Sequence, residues 1–595
     1  MFVARGAYVG GLAALWITAW QVLAGTQIVR NVGDFSYFGS TVFQVLAPLH
    51  LTAAAFFAAL STAAAVAHEK DRRTFDLLLL TNLTNRELVL GRLFASLLGV
   101  VDFTIAAAPL FALSALCGGV DFRQIFAVFA VTLASVVTAG SLGSTVALWR
   151  ERTFQTLATT VLVLVAWTGI WEAIDRGLFG ATIAKTDARA WAIIASPWHA
   201  AISCTRPFDD LRATIGSLEI APWPASIAAS FVMTVLLNAV AVRQVRVWNP
   251  SRELLQTSKA PTPPVQDGEL PHAWSFRALH GDAAYATDRP GTNNAVSGRG
   301  LRASRNVWDN PVLWREVMTW AYGRKVLFVR LFYGALFAAL AWGAMQTADA
   351  ARSTAFDWVV FVAPTAVLGA LLINMQAVSA ITSERDSNAL DLLLVTDLTS
   401  KEFVFGKLVG VLYNAKEMLI LPLVILGILW HLGAASGESA VYLAIGWFSL
   451  SAFAAVLGIH VGMNYANSRQ AAAVSLATIF FLIVGVGVSM RIMTAFSGSF
   501  QAQLQPFLAT IVGGGVGLYA ALGRRNPSPA ITLGSFILPL ATFYALTSFL
   551  IGAGLAALLA VVGAYSFTTA ALLIPAIFEF DVATGRTSGG EERDG

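Results

Sequence analysis

Acidic residues recur at a fixed spacing of 315 residues: Glu69 with Glu384, Asp71 with Asp386, Asp76 with Asp391, Glu87 with Glu402 and, with a change of type, Asp102 with Glu417. Carboxylates in such positions could carry a proton, flank a docked partner, or neutralise a cation inside an apolar run. The first four pairs lie in two 25-residue stretches, 69–93 (EKDRRTFDLLLLTNLTNRELVLGRL) and 384–408 (ERDSNALDLLLVTDLTSKEFVFGKL), which align without a gap and are identical at 13 positions. Chance does not produce that match. The chain is therefore expected to be a tandem duplication that works twice from symmetric positions. Asp102 and Glu417 fall inside apolar runs, roughly ten residues beyond Arg92 and Lys407, hence about 15 Å deep by helical rise. A charge there is costly unless it is paired or hydrated. A proton or substrate site is the sharper reading of Asp102, Lys416 and Glu417. A structural partnership inside the bundle, with Lys416 beside Glu417, is the preferred one.

Other chemistry is missing. There is no phosphate-cradling GxxxxGK[ST]: Gly406-Lys407 is followed by Leu408, and Lys401 stands where the first glycine is needed. The seven histidines (His50, His68, His199, His272, His280, His431 and His460) show neither HExxH nor paired metal spacing, and His50 and His460 are expected to face helix partners. No G-x-S-x-G nucleophile stands in a credible context. The chain is expected to be no enzyme, with neither cofactor nor metal of its own.

The elements that must position these acids are set by composition. Of 595 residues, 56% are hydrophobic and 12% charged, with mean hydropathy +0.67. That is more apolar surface than a soluble core of this length can bury, so the chain is expected to be an all-α polytopic membrane protein. The net charge of +4 comes from basic residues beside apolar runs and argues against nucleic-acid binding. Cys117 and Cys204 are expected toward the outer face, as two unpaired residues rather than a disulfide.

A span needs about 20 apolar residues. Six runs fit in the first half, at 7–28, 41–67, 94–117, 124–149, 154–174 and 224–246. The second half has runs at 326–347, 356–382, 409–434, 440–465 and 471–493, with the last between 506 and 577. The short, glycine-rich 506–522 is either a re-entrant element, giving 12 spans, or half of a hairpin with 530–550, giving 14. Arg5, Tyr8, Ala13, Ala14 and Leu15 match Arg330, Tyr333, Ala338, Ala339 and Leu340, so the N-terminal run is expected to be a retained helix rather than a signal peptide. Pro48 and Pro364 are expected to bend spans two and eight at matching places.

The expected plan is a first module (1–248, with segment 69–93), a proline-rich cytoplasmic linker (249–309), an interfacial amphipathic helix (310–325), a second module (326–580, with segment 384–408) and a cytoplasmic tail (581–595). The first module has no counterpart of the amphipathic helix. Basic residues flank the repeated segments, so both copies and both termini are expected on the cytoplasmic side, and the modules parallel in the membrane.

Each repeated segment is an elbow. Phe75-Asp76-Leu77-Leu78-Leu79-Leu80 makes about a turn and a half of helix. Thr84 with Glu87, and Thr399 with Glu402, carry the signature of a capping box that opens the next helix. Four leucines just outside a bilayer must bury themselves in headgroups, in the protein's own spans or in a partner's groove. A mere turn would not need Asp76 and Asp391 at matched sites among them.

The pattern of Glu at the end of span two, then Asp-Leu-Leu-Leu, Thr, Leu-Thr, a charged pair and Gly-Lys/Arg-Leu resembles the membrane subunits of type-2 ABC exporters, as do the six-span plan and the NPVLWRE opening at Asn310. The likeness covers both halves except the missing first NPVLWRE and the irregular tail. It implies that Phe75, Leu77, Leu78 and Leu79 with Leu80, and Leu390, Leu392, Leu393 and Leu394 with Val395, are knobs docking into separate ATP-hydrolysing subunits. Glu69, Asp76, Glu384 and Asp391 would be flanking polar contacts. ATP and magnesium would bind the partner ATPase.

The expectation is thus a permease subunit in the cytoplasmic (inner) membrane, in contact with lipid and coupling a partner's ATP hydrolysis to export of a substrate whose identity the residues do not give. Apolar spans with few buried charges favour a lipidic or amphipathic cargo. The rivals are an ion-driven secondary transporter using Asp102 and Glu417, and a non-transporting scaffold for envelope assembly.

Overall fold

In a computed structural model the described residues are 2–26, 32–249, 308–318, 326–347, 355–386, 398–495, 500–523 and 527–583, apart from 73, 151–152, 176–181, 184–185, 207–212 and 216–217. The expected linker, apart from its edges, and most of the tail lie outside them. So does the leucine stretch of the second elbow, including Leu390, Asp391, Leu392, Leu393 and Leu394.

The protein is an all-α polytopic bundle. Its helices in the first half are α1 (Phe2–Thr26), α2 (Val32–Asp71), α3 (Thr74–Leu79), α4 (Asn85–Ala106), α5 (Ala108–Leu116), α6 (Phe122–Trp149), α7 (Thr153–Asp175), α8 (Ala188–Ala195), α9 (Pro197–Thr205) and α10 (Pro222–Trp248). In the second half they are α11 (Pro311–Met318), α12 (Val326–Thr347), α13 (Ala355–Asp386), α14 (Ser400–Asn414), α15 (Lys416–His431), α16 (Gly437–Asn464), α17 (Ser468–Phe480), α18 (Val486–Ala495), α19 (Phe500–Leu522), α20 (Pro529–Leu550) and α21 (Gly554–Ala583). A single π turn, Phe481–Gly485, joins α17 to α18. Extended structure among the described residues is limited to two antiparallel ladders of two and three residues between α7 and α10. Among the described residues eleven helices are long and apolar enough to cross a membrane, or twelve if α14 and α15, bent by 51°, count as one span.

Helix boundaries repeat with the spacing of the acids. α6 and α16 both run 28 residues and begin and end 315 apart. The ends of α2 and α13, and the starts of α4 and α14 and of α7 and α17, keep the same interval. Beyond α7 and α17 the halves diverge. The first reaches α10 through α8, α9 and the ladders, whereas the second passes through α18 and a packed hairpin of α19 and α20 before α21. The stretch 506–522 is helical and packs against α20.

Forty residues of helix rise about 60 Å, twice the hydrocarbon thickness. α2, with 40 residues, therefore carries its charged end clear of the apolar layer. The two halves meet along one continuous core in which α2 and α7 contribute Phe56, Leu60, Phe154 and Leu157, and α13 and α17 contribute Leu372, Met375, Leu476 and Ile479. Phe56 stacks on Phe480 with ring centroids 5.4 Å apart. α7 also packs on α13. Both helices carry buried polar residues: Gln155, Thr156 and Thr160 on α7, and Gln376, Ser379 and Thr382 on α13.

Candidate docking elbows

The first elbow is pinned at both ends. Lys70, in the last turn of α2, donates to the carbonyls of Leu148 (2.6 Å) and Arg150 (2.9 Å), satisfying the end of α6. Arg246, in the last turn of α10, donates to the carbonyls of Leu79 (3.1 Å) and Leu83 (3.2 Å) and to Oδ1 of Asn85 (2.8 Å). A six-residue helix is too short to hold itself, so these tethers and two side chains fix it. Phe75 and Leu79, one turn apart, enter a core formed with Val66, Leu88, Leu148 and Val245. Leu78 packs partly against it. Leu77 and Leu80, three apart on the opposite face, are 65% and 57% exposed.

The expected knobs thus divide between two faces. Phe75 and Leu79 anchor the elbow to its own module, and Leu77 and Leu80 are the apolar groups it presents outward, with Asp76 half-buried between the faces. The capping box is formed: the Glu87 amide donates to Thr84 Oγ1 (3.3 Å), and the Thr84 amide donates to Glu87 Oε2 (2.9 Å). Thr399 and Glu402 repeat it at 3.2 and 2.9 Å.

Glu69 and Glu384 serve differently from the polar contacts expected of them. Each forms an ion pair with the base 23 residues on, Glu69 with Arg92 and Glu384 with Lys407. These pairs tie the end of the second span to the start of the third. The neighbouring residues repeat too. Arg385 donates to the Gly462 carbonyl (2.9 Å) much as Lys70 does to Leu148, and Thr153 donates to Asp71 where Ser468 donates to Asp386. Polar contacts also cross between the halves here: His68 Nδ1 lies 3.2 Å from Asp386 Oδ2 and 2.6 Å from Ser468 Oγ, and Arg72 lies 4.0 Å from Asp386 Oδ1.

The second elbow carries an addition. α11, expected to be an interfacial amphipathic helix, packs on α14, burying Val312 and Glu316. Gly406 and Gly410 permit the approach, since a Cβ on Gly410 would meet that of Glu316 at 2.6 Å. Asn310 caps α11 through the Leu313 amide (2.9 Å) and donates to the Glu402 carbonyl (2.9 Å). α11 delivers Arg315 to Glu384, and Glu316 to Lys407 at 2.6 Å, completing a chain of alternating charges in which Lys407 is 1% and Glu316 3% exposed. Gly91, the match of Gly406, faces open space.

The deep carboxylates each have a partner that sequence reasoning missed. Asp102 pairs with Arg5 (3.5 Å) and Glu417 with Arg330 (3.3 Å). Lys416, the expected partner of Glu417, instead lies over the Tyr413 ring, 4.6 Å from its centroid. The signal was present in Arg5 and Arg330, already matched between the first spans of the two halves. Three residues further along the same helices, the Tyr8 hydroxyl meets His50 Nδ1 (2.6 Å) and Tyr333 donates to the Thr365 carbonyl (2.8 Å). His460 faces helix partners, as expected: its Nε2 lies 3.1 Å from the Leu522 carbonyl of α19 and its Nδ1 3.1 Å from the Leu572 carbonyl of α21. Cys117 and Cys204 are free, at the end of the bundle opposite the elbows. Among the described residues no cluster of ligating side chains could hold a metal ion.

No protein-family model matches this chain, and no curated protein or solved structure is significantly similar to it.

Proposed function

We propose that this chain is the membrane core of an ATP-driven exporter, two copies of one permease module in a single polypeptide, energised by separate nucleotide-binding subunits that seat on the two elbows. The observation that carries this reading is the first elbow itself. A short helix outside the apolar layer is held rigidly by Lys70 and Arg246 while turning Leu77 and Leu80 outward. Rigid tethering to α2, α6 and α10 is what transmission of a push requires, and outward leucines are what a partner's cleft would bury. Closure of the ATPase pair would then rock the modules about their shared seam. That movement would expose the polar α7–α13 side, where Thr159 Oγ1, Gln376 Oε1 and Ser379 Oγ are buried without hydrogen-bond partners.

Against the ion-driven alternative stands the pairing of Asp102 with Arg5 and of Glu417 with Arg330. The test is co-expression with a P-loop ATPase encoded beside this chain, followed by pull-down and vesicle transport. Capture of the ATPase by the wild type, its loss in a Leu77→Lys, Leu80→Lys variant that still inserts, and vanadate-sensitive transport are expected. Equal capture by the variant would remove the docking assignment, and transport that instead stops when the proton gradient is dissipated would favour the rival.

A further inference from the structure

Arg150 closes α6 at the elbow end of the bundle, its amide bonded to the Val146 carbonyl (2.9 Å). Its side chain is 2% exposed and lies between two rings, with the guanidinium carbon 3.6 Å from the centroid of Trp149 and 4.9 Å from that of Phe328 on α12. Nε and Nη1 are buried, and among the described residues neither finds an acceptor and no carboxylate pairs with the group. A second cation is close, since Lys70 Nζ donates to the Arg150 carbonyl. Guanidinium does not lose its proton in proteins, and burying a charge without a counter-charge is strongly unfavourable. Ring faces offset part of that and leave the N–H groups unsatisfied. The matching position in the second half is Tyr465, whose hydroxyl is satisfied by the Ala521 carbonyl at 2.8 Å. The unmet donors thus belong to one site on one seam.

We propose that Arg150 binds a phosphate, that of an anionic phospholipid headgroup, wedged where α6 of the first half meets α12 of the second. The planar fork of arginine fits two phosphate oxygens at once. Trp149 and Phe328, with Leu327 and Leu331 on α12, are outward-facing, so the flanks of the site are apolar and aromatic, as at the headgroup level of a membrane protein. A soluble phosphate would find the same fork but no use for those flanks. The bound lipid would bridge the two halves beside the first elbow, next to the Lys70 tether.

Native mass spectrometry and thermal unfolding of the intact chain in detergent, titrated in parallel with phosphatidylglycerol, phosphatidylcholine and inorganic phosphate, test this. The wild type is expected to retain phosphatidylglycerol at least tenfold more tightly than phosphatidylcholine and to melt higher with it. Arg150→Gln should lose the preference and Arg150→Lys should keep only part of it. No lipid preference in the wild type overturns the proposal without recourse to any variant. Equal retention by a folded Arg150→Gln also overturns it, leaving a stacked structural cation. Equal stabilisation by inorganic phosphate overturns the lipid assignment.

Discussion

Lys407 and Arg92 occupy matching places and meet matching glutamates, yet their surroundings separate them. Lys407 is 1% exposed and holds both Glu384 and Glu316, whereas Arg92 is 34% exposed and holds Glu69 alone. Removing one member of a buried charge network leaves the others uncompensated, at about 3–5 kcal/mol. A half-open pair is worth about 1 kcal/mol or less. Lys407→Met is therefore expected to lower the unfolding midpoint steeply and Arg92→Met only slightly, as read by intrinsic fluorescence during heating. Comparable losses would mean that burial does not set the cost. A second residue-scale difference concerns the thiols. Burial pushes the Cys204 thiol up to about 12, against a weaker opposing pull from Ser203, so it stays protonated and unreactive at pH 8. Maleimide at that pH is expected to label Cys117, which is partly exposed, and Cys117→Ser to abolish rapid labelling.

Among elements, the capping boxes were legible from spacing alone, because the bond from a threonine to a glutamate three residues on is local and needs no tertiary partner. Thr84→Ala is expected to cost about 1 kcal/mol, and amide hydrogen exchange in the first turn of α4 should quicken about fivefold. α11 was legible as an amphipathic helix, but its resting place was not. Amphipathicity says that one face must be buried and leaves open whether lipid or protein buries it. Gly406 and Gly410 decide the matter by letting α11 reach the backbone of α14. Gly410→Ala should push α11 away, since its Cβ would meet that of Glu316 at 2.6 Å, while Gly91→Ala in the first half should be silent. Limited proteolysis around 308–318 separates these outcomes.

For the whole molecule, the halves meet where Phe56 stacks on Phe480, and α13, which packs on α7 of the first half, carries orphaned polar atoms on Gln376 and Ser379. A buried polar group with no partner costs about 1–3 kcal/mol. Gln376→Leu with Ser379→Ala is expected to raise the unfolding midpoint of the closed bundle and to slow export, because the opened state would lose groups that water or cargo would satisfy. A stabilised variant with undiminished transport would sever that seam from the pathway.

The sequence by itself determined what depends on composition and short spacing. Its hydropathy required a helical membrane bundle, the 315-residue interval marked where helix ends and starts recur around 69–93 and 384–408, and the T-x-x-E pattern gave the helix starts beyond them. Which leucines face outward, which arginine meets each deep carboxylate and where α11 rests were decided only in three dimensions. Those outcomes turn on contacts between residues far apart in the chain, such as Arg5 with Asp102 or Arg246 with Leu79. No local periodicity encodes such contacts, because they depend on how already-formed helices share buried surface.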